Sequence, residues 1–276
     1  MKAPRFAALL ALVLLFSSAQ TFDPDYGLVA YYSFNQCDAT DDSGKGSDGR
    51  IYGQTTCHCG IDENGLLLDG RSAYIEFLGP VNRCFSTTDF SLSFYFRPMQ
   101  FGPLPQSLLS KRGDCGEDFL LDLHFNAPQS IVETEFRESA YKYYHDLSPS
   151  VDTTAWIHFA LVREGTVAYT YINGALQNRE NRCSGMDISN DALLSFSYSP
   201  CISEGVSLPF RGVIDELKVF DRALSEQEIA DLYAQHPVEQ AEQDCLVSGE
   251  EKFQHRNPYP PQSPYLCHPK KTNHAG

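Results

Sequence analysis

Between residues 27 and 236 the chain consists of short segments of alternating apolar and polar residues, separated by glycine, proline, asparagine and aspartate. In the segment 90–97, three phenylalanines and one leucine alternate with smaller or polar residues, which predicts a half-buried strand. The segment 156–162 is apolar at both phases apart from His158, which predicts a central strand and a buried histidine. About 210 residues of this pattern are typical of one all-β domain, so we predict a two-sheet antiparallel jelly-roll sandwich.

Turn and cap signals complete this prediction. The dipeptide Asn173-Gly174 favours a tight hairpin, because both residues readily adopt positive φ values. Ser225 and Glu228 form a capping box ahead of an apolar helical stripe, which predicts one short C-terminal helix packed on a sheet. The further predicted strands are 28–34, 66–68, 73–77, 108–111, 119–125, 131–136, 167–172, 175–176, 193–198 and 210–220.

The first residues are typical of an export signal. Lys2 and Arg5 precede an apolar run over 6–16, and small residues follow up to Ala19. This run is too short for the roughly 20 residues of a membrane-spanning helix, so we predict a secreted protein without membrane insertion. The predicted divisions are a signal peptide (1–19), a linker (20–26), the jelly-roll domain (27–236) and a proline-rich, mostly disordered tail (237–276).

The charge of the chain limits its partners. The formal net charge is −15, and removal of the signal peptide with its two positive charges moves it to −17. Nucleic acid and anionic membrane surfaces are therefore poor partners, whereas cations, basic partners and neutral glycans suit such a surface. An acidic surface that only faces water is the alternative interpretation.

Nine cysteines in an exported chain predict a disulfide framework with one thiol left over. The disulfide connectivity cannot be deduced from the sequence, so we predict pairs from the proximity of the cysteines along the chain. These pair Cys183 with Cys201, Cys37 with Cys57 or Cys59, and Cys245 with Cys267. A zinc site at Cys57-His58-Cys59 is the alternative, although its one-residue spacer is shorter than zinc motifs use.

Several segments, taken in order, resemble the laminin G-like members of the concanavalin A-like lectin/glucanase superfamily. The resemblance runs from residue 28 to 233 and implies the jelly-roll fold and, often, one structural calcium ion. The segments that carry it are LVAYYSF (28–34), DDSGKGSDG (41–49), LDG (68–70), WIHFALV (156–162), YING (171–174) and GVIDELKVF (212–220).

Asp215 is the clearest candidate metal ligand within this set. It shares its strand phase with Val213, Leu217 and Val219, so its carboxylate is expected on the packed side of the sheet. A buried charge without a partner costs several kcal/mol, so something cationic should meet it.

The acidic loop 41–49 offers further oxygen ligands, and calcium takes six to eight of them. We therefore predict a calcium site formed by Asp42, Gly44, Asp48 and Asp215. Lys45 lies in the same loop and would repel a cation. The alternative is that Asp215 meets Lys111, Arg211 or a backbone donor while the loop is an ordinary Asx-rich turn; equal unfolding midpoints in calcium and in chelator would favour it.

Glu133-Thr-Glu-Phe-Arg-Glu138 resembles the Glu-x-Asp-x-x-Glu strand of jelly-roll glucanases, where two carboxylates on one face act as nucleophile and general acid. Here Glu135 replaces the aspartate, and a period of two places Glu138 on the face opposite Glu133 and Glu135. We therefore interpret the segment as an exposed charged strand and predict no catalytic residue.

Tyr141, Tyr143 and Tyr144 lie in a segment that we expect to connect two strands, and their rings suit stacking on a sugar. A lid that merely covers a sheet is the alternative. The sequence thus favours a secreted, non-catalytic recognition module for an extracellular glycan or protein. The other hypotheses are a glycoside hydrolase of the same fold and an adhesive component attached through its tail.

Overall fold

A computed structural model of the protein describes residues 22–99, 102–116, 118–180, 186–243 and 245. The predicted signal peptide, Cys183, Cys267 and most of the predicted tail lie outside the described residues.

The strands, in chain order, are β1 (Leu28–Tyr32), β2 (Gly49–Tyr52), β3 (Thr55–Cys59), β4 (Asn64–Asp69), β5 (Tyr74–Phe77), β6 (Phe90–Pro98), β7 (Gln106–Lys111), β8 (Leu120–Asn126), β9 (Ile131–Ser139), β10 (Lys142–Leu147), β11 (Ile157–Glu164), β12 (Val167–Ile172), β13 (Ala175–Glu180), β14 (Leu194–Phe196), β15 (Leu208–Pro209) and β16 (Arg211–Phe220).

The strands form two facing sheets of eight strands each. Sheet A has the order β13-β12-β11-β6-β16-β4-β3, with β1 also paired to β16. Sheet B has the order β10-β9-β8-β7-β14-β5-β2, with the short β15 parallel to β7. The fold class predicted from alternation is confirmed: two antiparallel sheets enclose one apolar core.

The inner faces of both sheets supply that core. Phe90, Leu92, Phe94 and Phe96 of β6 are fully buried in it, as their alternation predicts. The opposite phase of β6 is also buried, since Ser91 and Tyr95 are at most 3% exposed. The strand is therefore covered on both faces, and the prediction of a half-buried strand was wrong because a helix covers its outer face.

That helix is α1 (Glu226–Gln235), and its predicted capping box is confirmed. The Ser225 hydroxyl accepts from the Glu228 backbone N–H, and the Glu228 carboxylate accepts from the Ser225 backbone N–H. Ile229 and Leu232 pack against Ala160 and Val162 on the outer face of sheet A. Burial lowers the pKa of His158, on the same face, to about 3, and its Nε2 lies 2.9 Å from the Ser93 hydroxyl oxygen.

A β-bulge in β16 changes the predicted orientation of Asp215. The register of β16 against β6 shifts between Asp215 and Lys218, and Glu216 adopts a left-handed φ of 50°. Ile214 and Leu217 consequently face the core between the sheets, whereas Asp215 shares the outer face with Val213. The expected common face of Asp215 with Leu217 and Val219 was wrong, because the extra residue reverses the alternation.

The structure contains three disulfides among the described residues. Cys37–Cys57 agrees with one predicted alternative. Cys201 bonds Cys115 rather than Cys183, and Cys245 bonds Cys59 rather than Cys267. These two pairings were wrong because closeness along the chain was the only criterion, whereas the sheets bring together cysteines that are 86 and 186 residues apart. Because Cys57 and Cys59 are both oxidised, the zinc alternative is also wrong.

Candidate functional site

The outer face of sheet B presents an ordered set of side chains on β8, β9 and β10. Leu121, Leu123 and Phe125 of β8 point into the core, so the alternate residues of this strand face outward. The cross-strand registers then align three residues on each strand, and we call these nine residues the grid. The grid comprises Leu120, Asp122 and His124 of β8, Arg137, Glu135 and Glu133 of β9, and Tyr143, His145 and Leu147 of β10.

The carboxylates of the grid all have hydrogen-bond or ionic partners. Fully buried Asp122 accepts from Arg112 Nη1 at 2.8 Å, and His124 Nε2 lies 3.6 Å from its other oxygen. Glu133 accepts from Asn126 Nδ2 at 2.7 Å, and Glu135 pairs with Arg137. The centre of the grid is therefore polar, and two of its three carboxylates, Asp122 and Glu135, are paired with arginines.

Exposed side chains with large apolar surfaces border this polar centre. Tyr143 is 46% exposed and Leu147 is 50% exposed, both on the edge strand β10. The segment predicted as a connection is thus mostly a strand, with only Tyr141 at the hairpin turn, where it is 99% exposed. Tyr144 was a wrong choice of ligand-binding residue, because alternation buries it in the core against Phe136, with ring centroids 5.0 Å apart.

Three tyrosines from distant segments stack at the other end of this face, and we call them the tyrosine ladder. Tyr52 of β2 lies opposite Tyr74 of β5, with ring centroids 4.5 Å apart. Tyr198, which follows β14 and is 40% exposed, stacks on Tyr74 at 4.9 Å. Burial, followed by the charge of Glu76, raises the pKa of Tyr74. Sequence reasoning missed the ladder, although Tyr74 was visible as the polar phase of a predicted strand.

Strands β7 and β14 lie between the ladder and the grid. Their outward serines, Ser110 and Ser195, are at most 4% exposed. Arg112 donates to the carbonyl oxygens of Asp114 and Cys115, which folds this loop back beside Asp122. The Cys115–Cys201 disulfide joins the loop to the segment after Tyr198. A covalently fixed polar region therefore separates two accessible patches.

The loop predicted to bind calcium uses its polar atoms within the fold. One oxygen of Asp42 accepts from the Ser33 backbone N–H and hydroxyl, and one oxygen of Asp48 accepts from the Asp41 N–H. The Gly44 N–H donates to the Asp41 carbonyl, and the Lys45 ammonium reaches the Leu28 carbonyl. These polar groups of the loop are thus engaged partly within the loop and partly with β1 and the residue after it.

Asp215 is met by backbone donors, which is one of the alternatives for this residue. One oxygen accepts from the N–H groups of Ile61 at 2.7 Å and Asp62 at 3.3 Å, and the other accepts from Glu216 N at 3.0 Å. Burial, followed by the charge of Glu216, raises the pKa of Asp215 well above its ordinary value. Since calcium needs six to eight available oxygens, the four predicted residues as placed do not fit that ion. Calcium binding stays a prediction, which unfolding in calcium and in chelator tests.

A second group of possible metal ligands lies beside Asp215. One ligand atom each of Asp62, Glu216 and His236 lies within 4.8 Å of the other two. Glu216 is buried and already pairs with the Lys218 ammonium at 2.5 Å, besides accepting from the Tyr31 hydroxyl. An ammonium group in this position opposes a further cation, so the group is better described as an ion-pair network.

The two facing sheets define a jelly-roll β-sandwich of the lectin type, and a comparison with protein families agrees. A family model described as the concanavalin A-like lectin/glucanases superfamily matches residues 69–230, which is more than half of the chain. The chain therefore belongs to this superfamily, and the predicted resemblance is confirmed. The comparison with curated proteins finds no match.

Three of the solved structures that share this fold are compared with the chain. The binding domain of Paraclostridial Mosquitocidal Protein 1 has a TM-score of 0.64 and 15% identity, over 77% of this chain and 53% of its own. Domain 4 of AbnA, an extracellular arabinanase from Geobacillus stearothermophilus in complex with arabinotriose, has a TM-score of 0.57 and 21% identity, over 75% of this chain and 98% of its own. The binding domain of Botulinum neurotoxin DC, in complex with rat synaptotagmin II, has a TM-score of 0.60 and 14% identity, over 77% of this chain and 52% of its own.

These identities support a shared fold only, and this chain spans about half the length of both toxin domains. Within the described part of the chain, the one α-helix is too short and too polar to cross a membrane.

Proposed function

We propose that this protein is an extracellular, non-catalytic recognition module that binds carbohydrate on the outer face of sheet B. The observation that carries the proposal is the pairing of exposed rings, Tyr143 in the grid and Tyr198 in the ladder, with fixed hydrogen-bonding groups on the same sheet face. A sugar ring presents an apolar face for stacking and hydroxyl groups for hydrogen bonds. This face offers both kinds of contact.

The solved relatives support binding as the general role. Domain 4 of the arabinanase was solved with arabinotriose, and a neurotoxin binding domain was solved with synaptotagmin II, so related sandwiches hold either a sugar or a protein. Carbohydrate is favoured here because the exposed rings stand beside ionic pairs rather than within a continuous apolar patch. Since arginines pair with two of the three grid carboxylates and the third accepts from an amide, a neutral glycan is the better fit.

The placement of the acids argues against a glycoside hydrolase. Glu133 and Glu135 share the outer face, but each already accepts from a neighbouring side chain. Glu138 accepts from the Lys142 ammonium and from the Asp187 N–H, both at 2.7 Å. A glycosidase needs one carboxyl that protonates the leaving group and a second that attacks or activates water. Because these carboxylates already accept hydrogen bonds from neighbouring groups, none of them is arranged as the general acid or as the nucleophile or base.

The disulfides support the extracellular part of the proposal. Cys37–Cys57, Cys59–Cys245 and Cys115–Cys201 are typical of an oxidising environment outside the cytosol, and the predicted export signal would direct the chain to such an environment. Residues 27–236 are proposed as the binding domain, and the tail from residue 237 as a segment that links it to a larger assembly.

Affinity electrophoresis in gels containing neutral polysaccharides, arabinan among them, tests the proposal. We expect retardation of the wild type, and at least a fivefold loss of affinity in Tyr143→Ala or in Tyr198→Ala, because each truncation removes a stacking surface. Tyr141→Ala is the matched control, since this ring stands at the hairpin turn outside the grid and the ladder. Equal retardation of all variants would place binding elsewhere, and no retardation in any neutral polysaccharide would reject the carbohydrate ligand.

A further inference from the structure

One cavity away from the outer face of sheet B combines apolar walls with a charged rim. Its volume is about 380 Å³, compared with about 550 Å³ for the cavity beside α1. It lies where the β10–β11 loop, the β12–β13 turn and the segment after α1 meet. Cavities of roughly 300–1,000 Å³ hold small organic ligands. The size of this cavity therefore suits a compact molecule rather than a polymer.

The walls of the cavity are mainly apolar. Val151, Ile172 and Val238 line it, together with Trp156, which is 4% exposed and is the single tryptophan of the chain. Trp156 donates its indole N–H to Glu242 at 3.1 Å, which fixes the ring. An apolar body in the cavity would therefore lie close to an immobile aromatic ring.

The rim carries two carboxylates and, among the described lining residues, no basic side chain. Asp152 accepts from the backbone N–H and hydroxyl of Thr154, and these hydrogen bonds lower the pKa of its carboxyl. Glu239 accepts from the Tyr233 hydroxyl at 3.2 Å. Neither contact neutralises charge, so both carboxylates are available to a cation.

The larger cavity beside α1 differs in this respect. It is lined by Arg222, whose guanidinium pairs with Glu228 at 2.7 Å and lies 4.7 Å from the Tyr26 ring centroid. In that cavity a guanidinium group already stands beside the aromatic ring, where a ligand cation would otherwise lie. The cavity at Trp156 instead combines apolar walls with two carboxylates, Asp152 and Glu239, that have no ion pair among the described residues.

We propose that the cavity at Trp156 is a second binding site, distinct from the outer face of sheet B, that accepts a small organic ammonium ion with an apolar body. The apolar body packs on Trp156, Val151 and Ile172, and the ammonium group reaches Asp152 and Glu239 at the rim. The net charge of −15 on the chain adds attraction for such a cation at low salt.

Trp156 itself provides the measurement, because its fluorescence responds to occupancy of the cavity. We would titrate the whole secreted protein with cyclohexylmethylamine, which is an ammonium ion at neutral pH, and with the neutral isostere cyclohexylmethanol. Neither probe absorbs where tryptophan does. We expect saturable change with the amine at about tenfold lower concentration than with the alcohol, and a smaller difference in 0.5 M salt, on the order of twofold, because exposed charges are screened.

The double variant Asp152→Asn/Glu239→Gln removes the rim charges while keeping the size of both side chains. We expect it to bind the amine and the alcohol equally. Asp114→Asn/Glu204→Gln is the control, since it makes the same change in net charge at exposed residues away from the cavity and should leave the preference for the amine intact. Equal affinity for both probes in the wild type, no saturable response, or an unchanged preference in the rim variant would each overturn the proposal.

Discussion

The outer faces of the two sheets are formed by similar alternating strands, but they differ in their exposure to solvent. On sheet A, α1 covers the outward residues of β6 and β11, so even Ser91, Ser93 and His158 are at most 2% exposed. On sheet B, Tyr143 and Leu147 of β10 remain about half exposed. Alternation along a strand gives two faces, but it does not say which outer face a later element will cover. The covered face contributes to stability, and the open face is available to a ligand.

The largest expected effect concerns Asp122, the one carboxylate of the open face that is fully buried. Arg112→Ala removes its ionic partner, and a buried carboxylate left without a cation typically costs about 3–5 kcal/mol. Arg137→Ala breaks the partly exposed pair with Glu135, for which about 1 kcal/mol or less is expected. Urea denaturation of both variants gives the comparison. Similar losses would show that Asp122 is less dependent on its partner than its burial indicates.

The second prediction concerns α1, the helix that covers the outer face of sheet A. Ile229→Ala in α1 should lower the free energy of unfolding by about 2–4 kcal/mol, because the side chain is fully buried against the outer face. Leu147→Ala removes a comparable apolar group from the open face of sheet B and should cost about 0.5 kcal/mol or less. Equal costs, measured by the same denaturation, would contradict the difference between the two faces.

The smallest of the three effects is a dependence on pH that arises on the covered face. Burial holds the pKa of folded His158 at about 3, whereas the unfolded value is near 6.5, so the unfolded chain binds an extra proton between these values. Stability contributed by this residue is therefore complete above pH 6.5 and is lost as the pH falls towards 3. Between pH 7 and pH 5 we expect a loss of about 1–2 kcal/mol.

His158→Phe should flatten this dependence by removing the titrating ring, whereas His145→Ala on the open face should leave it unchanged. Denaturation midpoints at a series of pH values between 4.5 and 7.5 provide the measurement, with all buffers at roughly equal ionic strength. A wild-type slope that persists in His158→Phe would assign the effect to other groups.

The sequence by itself determined the local features of this protein. The alternation that predicts β6 depends only on neighbours two residues apart, and the capping box of α1 only on residues three apart. Both are therefore visible without knowledge of the fold. The order of the segments from LVAYYSF to GVIDELKVF was also sufficient to indicate the superfamily.

Only the tertiary structure decided which separate segments meet. Tyr52, Tyr74 and Tyr198 form a ladder because β2, β5 and the end of β14 lie side by side, and no short-range pattern contains that information. The bulge at Glu216 turned Asp215 away from the core, and the packing of the sheets selected disulfide partners far apart in sequence. The physical reason is that strand pairing and burial depend on segments that are far apart in the sequence. One added residue in a strand, or one helix that covers a sheet, changes which side chains are buried although the local sequence pattern stays the same.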